Sequence, residues 1–153
     1  MKQHGRGPIA FAVPWCAKSV SLLGGGIQLD ETFVGGKNQN KSIVLVAAEE
    51  GARVRLVQAP GNYEACIKHV VGTEIAAEAT VKTDGHAAYN QRTLAKSAHD
   101  GKVQTKAEKK SNDHLQLCYW AASAAERWLL ATHCGAASEK HLQSYSWRAC
   151  ISS

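Results

Sequence analysis

The sequence predicts an α/β fold, a mixed sheet with helices packed on it, from three observations. Ser42-Ile43-Val44-Leu45-Val46-Ala47-Ala48 is an unbroken apolar run, as a central strand covered on both faces requires. Residues 53–58 alternate polar with apolar, the pattern of an antiparallel strand with one face toward solvent. Tyr63, Cys66, Ile67, Val70 and Val71 then repeat at helical spacing, and Cys118, Ala121, Ala122, Ala125, Trp128 and Leu129 do so again.

Taken in order, residues 1–26 carry no clean period and hold Pro8, Pro14 and a Gly24-Gly25-Gly26 run, so they read as an irregular leader. A first strand starts near Ile27 and ends at Gly35-Gly36. The 42–48 strand follows, then a hairpin turn at Glu49-Glu50-Gly51 and the alternating strand, which Pro60-Gly61 ends. A helix over 63–71 closes at Gly72. Residues 80–83 form a strand delivering Asp84, residues 86–96 a helix with Tyr89 and Leu94 as apolar contacts, and residues 103–105 a short strand. The charged stretch 106–112 reads as a solvated loop. The last clear helix spans 115–130, with Trp120, Trp128 and the later Trp147 expected to pack rather than stack on bases, and Trp128 on the apolar stripe. Residues 138–145 suit a short further helix, and 146–153 form an irregular tail. This order matches a ribonuclease-H-like arrangement over 27–145, in which three antiparallel strands are extended by parallel strands reached through helices.

Composition narrows the function classes. The 153 residues are 44% hydrophobic, one domain with enough core to fold without staples. Lys and Arg outnumber Asp and Glu by 18 to 13, which favours an anionic partner. Five widely spaced cysteines with no C-x-x-C pair read as reduced thiols of a cytoplasmic protein rather than a disulfide framework. His133, Cys134 and His141 lack the second close pair of a zinc set. No apolar run approaches the roughly 20 residues that span a bilayer, so no membrane partner is expected. Lys2 and Arg6 before Ile9-Ala10-Phe11-Ala12-Val13 imitate an export signal, but Pro14 and Trp15 interrupt it.

The chemistry-bearing feature is a pair of aspartates at the ends of two strand-like runs, Asp30 and Asp84. Two carboxylates presented together are hard oxygen ligands for Mg2+ or Mn2+, and two such ions clamp the attacking and leaving oxygens of a phosphoryl transfer. In the ribonuclease-H-like order the first and fourth strands are neighbours, so the two aspartates meet. Alternation sends Glu31 to the opposite strand face from Asp30. His86 and His133 suit phosphate contacts and hydrogen-bonded structural roles equally. Lys37, Lys41, Lys106, Lys109 and Lys110 are candidates for phosphate contacts along a DNA path or for an ordinary solvated surface.

Around these residues the chain resembles the ISXO-like insertion-sequence transposases of the DDE superfamily. The matching blocks are Leu29-Asp30-Glu31-Thr32-Phe33-Val34-Gly35-Gly36-Lys37, Lys82-Thr83-Asp84-Gly85-His86-Ala87-Ala88-Tyr89, Arg127-Trp128-Leu129-Leu130-Ala131-Thr132-His133 and Glu139-Lys140-His141-Leu142-Gln143-Ser144-Tyr145. The resemblance implies metal-dependent cutting and joining of DNA at element ends, two Mg2+ or Mn2+ ions, a nucleoid-associated cytoplasmic setting and compatibility with a homo-oligomer. Asp30 and Asp84 become the first two metal-binding carboxylates. The family's third active-site residue aligns with Ala124, which cannot bind metal. Glu126, the only carboxylate on that helix, is the remaining candidate, although residues two apart on a helix point about 200° apart. No upstream zinc ribbon or helix-turn-helix is visible, and the chain leaves the pattern after Tyr145. It reads as a truncated or degenerate copy, with two functional readings: a catalytic domain, or a DNA-binding remnant without catalysis.

Overall fold

Apolar residues on both sides of three successive strands give the sheet two buried faces, and the helices divide between them. The computed structural model describes residues 21–34, 41–51, 53–59, 63–94, 97–111, 113–133 and 147–150. In chain order the elements are β1 (Gly26–Val34), β2 (Ser42–Glu49), β3 (Arg53–Ala59), α1 (Tyr63–Glu74), β4 (Thr80–Thr83), α2 (Gln91–Leu94), β5 (Ala98–Gly101), α3 (Lys106–Ser111), α4 (Gln116–His133) and β6 (Trp147–Cys150). They form a six-stranded sheet in the order β5-β4-β1-β2-β3-β6. β1, β2 and β3 are antiparallel neighbours, β4 and β5 extend the sheet in parallel beyond β1, and β6 closes the other edge antiparallel to β3. The predicted mixed α/β sheet is therefore present.

β1, β2 and β3 contribute to both faces with the period of two that a pleat imposes. Ile27, Leu29, Leu45, Ala47 and Val81 face α1 and α2, meeting Ile67, Val70, Tyr89 and Leu94. Val34, Val44, Val46, Val54 and Leu56 face α4, meeting Leu115, Cys118, Ala121 and Ala125. Fully burying one such side chain stabilises the fold by about 1.5–3 kcal/mol relative to leaving it exposed. Arg55, 2% exposed on the α1 face, is tolerated because Glu74 of α1 pairs with it at 3.1 Å.

Several expectations need correction. The fifth strand is Ala98–Gly101 rather than 103–105, because its pairing partner is all of β4, from Thr80↔Ala98 to Thr83↔Gly101. The predicted helix over 86–96 contracts to α2. The Asp84–Tyr89 segment is held in turns by side chains, and Asn90 accepts from the N–H groups of Arg92 and Thr93 as an N-cap. The stretch read as a solvated loop forms α3, since Thr105 and Glu108 make a reciprocal capping box: Glu108 Oε2 accepts from Thr105 N at 2.8 Å, and Thr105 Oγ1 accepts from Glu108 N at 3.4 Å. Trp128 packs against the α4-side core, but Trp120 is 59% exposed, two residues from buried Cys118 and hence on the far side of the helix. Residues 147–150, where the sequence shows no pattern, pair with β3. The expected helix at 138–145 lies outside the described residues, as do the cysteine and second histidine of the imagined zinc set, Cys134 and His141.

Leu23, within the stretch read as a leader, is fully buried. Its N–H donates to the Glu74 carbonyl and its own carbonyl accepts from Ala76 N, both at 2.8 Å. The glycines that follow carry the chain from this bridge into β1, with Gly25 at φ +67°, a conformation glycine adopts without steric cost.

Candidate active site between β1 and the end of β4

The ladder between β1 and β4 runs Gly26↔Thr80, Ile27↔Val81, Gln28↔Lys82. Two residues further along the chain stand Asp30, on β1, and Asp84, one residue past the end of β4. Parallel neighbours lie about 4.8 Å apart and positions two apart share a face, so both carboxylates project on the side of the sheet that α4 covers. β4 ends at Thr83 while β1 continues to Val34, which puts Asp84 at the mouth of a strand and Asp30 beside it on a longer one. The structure thus brings together two aspartates that are 54 positions apart in sequence (84 minus 30).

Local bonding fixes each carboxylate. Asp30 Oδ1 accepts from Glu31 N, and Asp84 Oδ1 accepts from His86 N, both at 2.9 Å. Gly85 makes the turn after Asp84 with φ +76°, and a Cβ there would stand 2.9 Å from Val103 Cγ2. Thr83 Oγ1, fully buried, accepts from Gly85 N at 3.2 Å and lies 2.9 Å from His99 Nε2, tying the turn to β5. On the opposite sheet face, Tyr89 Oη donates to Glu31 Oε2 at 2.7 Å.

Burial dominates the electrostatics of Asp30. It raises the carboxyl to about 7, with Glu31 and Asp84 adding to the rise and the Glu31 N–H and Lys109 opposing it. Lys109 Nζ donates to Tyr119 Oη at 3.1 Å and lies 5.7 Å from that ring's centre. That bond, with Asp113 and Asp30 nearby, pushes the ammonium up despite some desolvation. Cys118 donates to the Val46 carbonyl at 3.5 Å, opposite Asp30 across the β1–β2 ladder. Burial, reinforced by Asp30, pushes its thiol well up, so it is a protonated packing group.

Next to the aspartates is a polar cleft of about 380 Å³ lined by Gln28, Lys82, Lys102, Gln104, Glu108, Asp113 and His114. Gln28 Oε1 accepts from Leu117 N at 2.8 Å and Cys118 N at 3.4 Å, satisfying two orphan donors of α4 and docking that helix on β1. Asp113 Oδ1 accepts from Leu115 N at 3.0 Å. Neither Gln28 nor Asp113 stands out in the sequence, because their role depends on a partner 89 positions away or on a turn preceding the helix.

Glu126 is placed differently. It is exposed on α4, eight residues beyond Cys118, which is about 12 Å along the axis. The charges that act most on Asp30 are Glu31, Asp84 and Lys109. Ala124 is buried at 8% exposure. Among the described residues, no three His, Cys, Asp or Glu side chains converge where one metal ion could touch them all. None of the described helices is long and apolar enough to cross a membrane.

No curated protein matches the chain. A family model does, over residues 22–148, and that span holds the whole β1-to-α4 scaffold together with both aspartates. The chain therefore belongs to the family of ISXO2-like transposase domains.

Proposed function

We propose that the chain acts as a DNA strand-cleaving and strand-joining domain through Asp30 and Asp84, at the ends of an insertion element. The observation that carries this is the pair itself: two carboxylates on one sheet face, Asp30 midway along β1 and Asp84 just past the end of its parallel neighbour β4, in a domain whose family is a transposase family. DNA as partner follows from that family, and DDE transposases generally use divalent metal ions.

The donor set fits a hard divalent cation. Each aspartate commits Oδ1 to a backbone N–H, which leaves Oδ2 to a ligand, and Mg2+ is usually held by one or two carboxylates with water and substrate phosphate completing its shell. When bound, such an ion supplies charge neutralisation at the phosphate and activation of the attacking water or 3′-hydroxyl. The chain's own residues contribute orientation. Gly85 and Thr83 aim Asp84, the β1–β2 ladder holds Asp30, and Lys109 brings a cation to the same face for a non-bridging phosphate oxygen. Glu126 stays outside this pair by its position, so Glu126→Gln is expected to leave metal affinity unchanged. A cytoplasmic, nucleoid-associated setting and a homo-oligomer bridging two element ends complete the reading.

The second reading is a DNA-binding remnant of the same fold. Ala124, buried on α4 where the family's third active-site residue aligns, offers no ligand atom, and this favours it. Incubating a labelled element-end duplex with Mg2+ or Mn2+ separates the two. Divalent-dependent strand cleavage abolished by Asp30→Ala or Asp84→Ala supports catalysis, whereas salt-sensitive binding that survives both changes, with no cleavage, supports the remnant.

A further inference from the structure

The β1–β4 ladder stops at Gln28↔Lys82, yet the two aspartates lie beyond it. β2 holds Asp30 through Val46 and β5 holds Thr83 through Gly101, but no direct pairing of β1 with β4 links the two aspartates. Asp84 begins a segment without regular structure that runs from the α4 face, around the end of β4, to Tyr89 on the α1/α2 face. Within it, Asp84 Oδ1 accepts from His86 N and His86 O accepts from Tyr89 N, each at 2.9 Å, so the segment is a chain of linked turns rather than a loose loop. Its far end is anchored. The Tyr89 ring is 3% exposed among Ile27, Leu29 and Leu94, and its hydroxyl reaches Glu31 at 2.7 Å.

Glu31 is the residue after Asp30, on the opposite side of the same strand. One strand position thus carries the first carboxylate, and its neighbour holds the end of the turn that carries the second. We propose that the Tyr89–Glu31 hydrogen bond is a tether that sets Asp84 against Asp30 for a shared divalent cation, making both of them positioning residues. The inference rests on the metal reading of the aspartates given above.

The test uses Tyr89→Phe, which keeps the buried ring and removes only the donor, with Glu31→Ala and Glu31→Gln. The glutamine keeps an acceptor oxygen for the tyrosine. Two readouts are taken on the full chain: amide hydrogen exchange across 84–88 without metal, and Mn2+ affinity by electron paramagnetic resonance. Tyr89→Phe and Glu31→Ala are expected to exchange about 2- to 10-fold faster across 84–88, the factor one net hydrogen bond is worth, and to bind Mn2+ more weakly by a similar factor. Glu31→Gln should restore both. Unchanged exchange, or faster exchange with unchanged Mn2+ affinity, overturns the positioning role while leaving the metal reading intact. A wild-type chain that binds no Mn2+ overturns the metal reading and the tether's function with it, whatever the exchange shows.

Discussion

Asp30 is a carboxyl held near neutrality by its surroundings, and this has consequences in opposite directions for folding and for ligand binding. Its proton affinity is raised in the folded state, to about 7, chiefly by burial. The folded chain therefore binds more protons than the unfolded chain between about pH 4 and pH 7, so this group's contribution to stability falls as pH rises through that window and stays lost above it. Partial solvent access reduces the effect, to about 1–2 kcal/mol, so Asp30→Asn is expected to raise the thermal midpoint at pH 8 and change it little at pH 4.5. Metal binding runs the other way, because the ligand must be deprotonated. Mn2+ affinity should rise by about tenfold per pH unit below pH 7 and level off above it, which titrations at pH 5.5, 6.5, 7.5 and 8.5 measure directly. A pH-independent affinity would place the metal elsewhere.

Elements hold the residues in place through three devices, each open to a single substitution. Gly85→Ala combines a left-handed backbone with a Cβ 2.9 Å from Val103, so it should cost about 1–2 kcal/mol and displace Asp84. Circular-dichroism melting reads the first effect and Mn2+ affinity the second. Gln28→Leu leaves the Leu117 and Cys118 N–H groups without their acceptor at the start of α4, and is expected to destabilise by about 1–3 kcal/mol in the same melt. Thr105→Ala removes one half of the α3 capping box, at about 0.5–2 kcal/mol, and should loosen Lys109 from Tyr119. These elements were unequally legible in sequence. The three antiparallel strands, α1 and α4 are long and periodic, so pattern alone locates them. α3 is short and charged, and its Thr105/Glu108 box is a signal that lay in the sequence and was outweighed by charge. β5 is exposed throughout and β6 shows no pattern, because pairing with a neighbouring strand defines each of them.

At the scale of the whole molecule, sheet order turns distant aspartates into neighbours. The crossover through α1 returns the chain to β1 rather than β3, a fact of topology that periodicity cannot disclose but that the order of elements anticipates. The same global view separates Glu126 from the pair: helix geometry already argued against it, and the register of α4, fixed by Cys118 over Val46, leaves it exposed. Lys82 and Lys102 line the cleft together with Glu108 and Asp113, and Lys109 acts on Asp30, so cations stand within reach of the acidic pair. Duplex DNA binding is expected to weaken steeply with salt, and Lys109→Gln should lower the slope of log affinity against log salt by about one, as the loss of one phosphate contact requires.

Titration of Mn2+ into the folded wild-type chain, with Asp84→Asn alongside, tests the central claim most directly. Saturable binding above pH 7 that is lost or weakened by at least about tenfold in Asp84→Asn is expected, since one of two anionic ligands is gone. Equal binding by both chains, or none by a wild type shown to be folded, would contradict the assignment of Asp30 and Asp84 as a shared metal site.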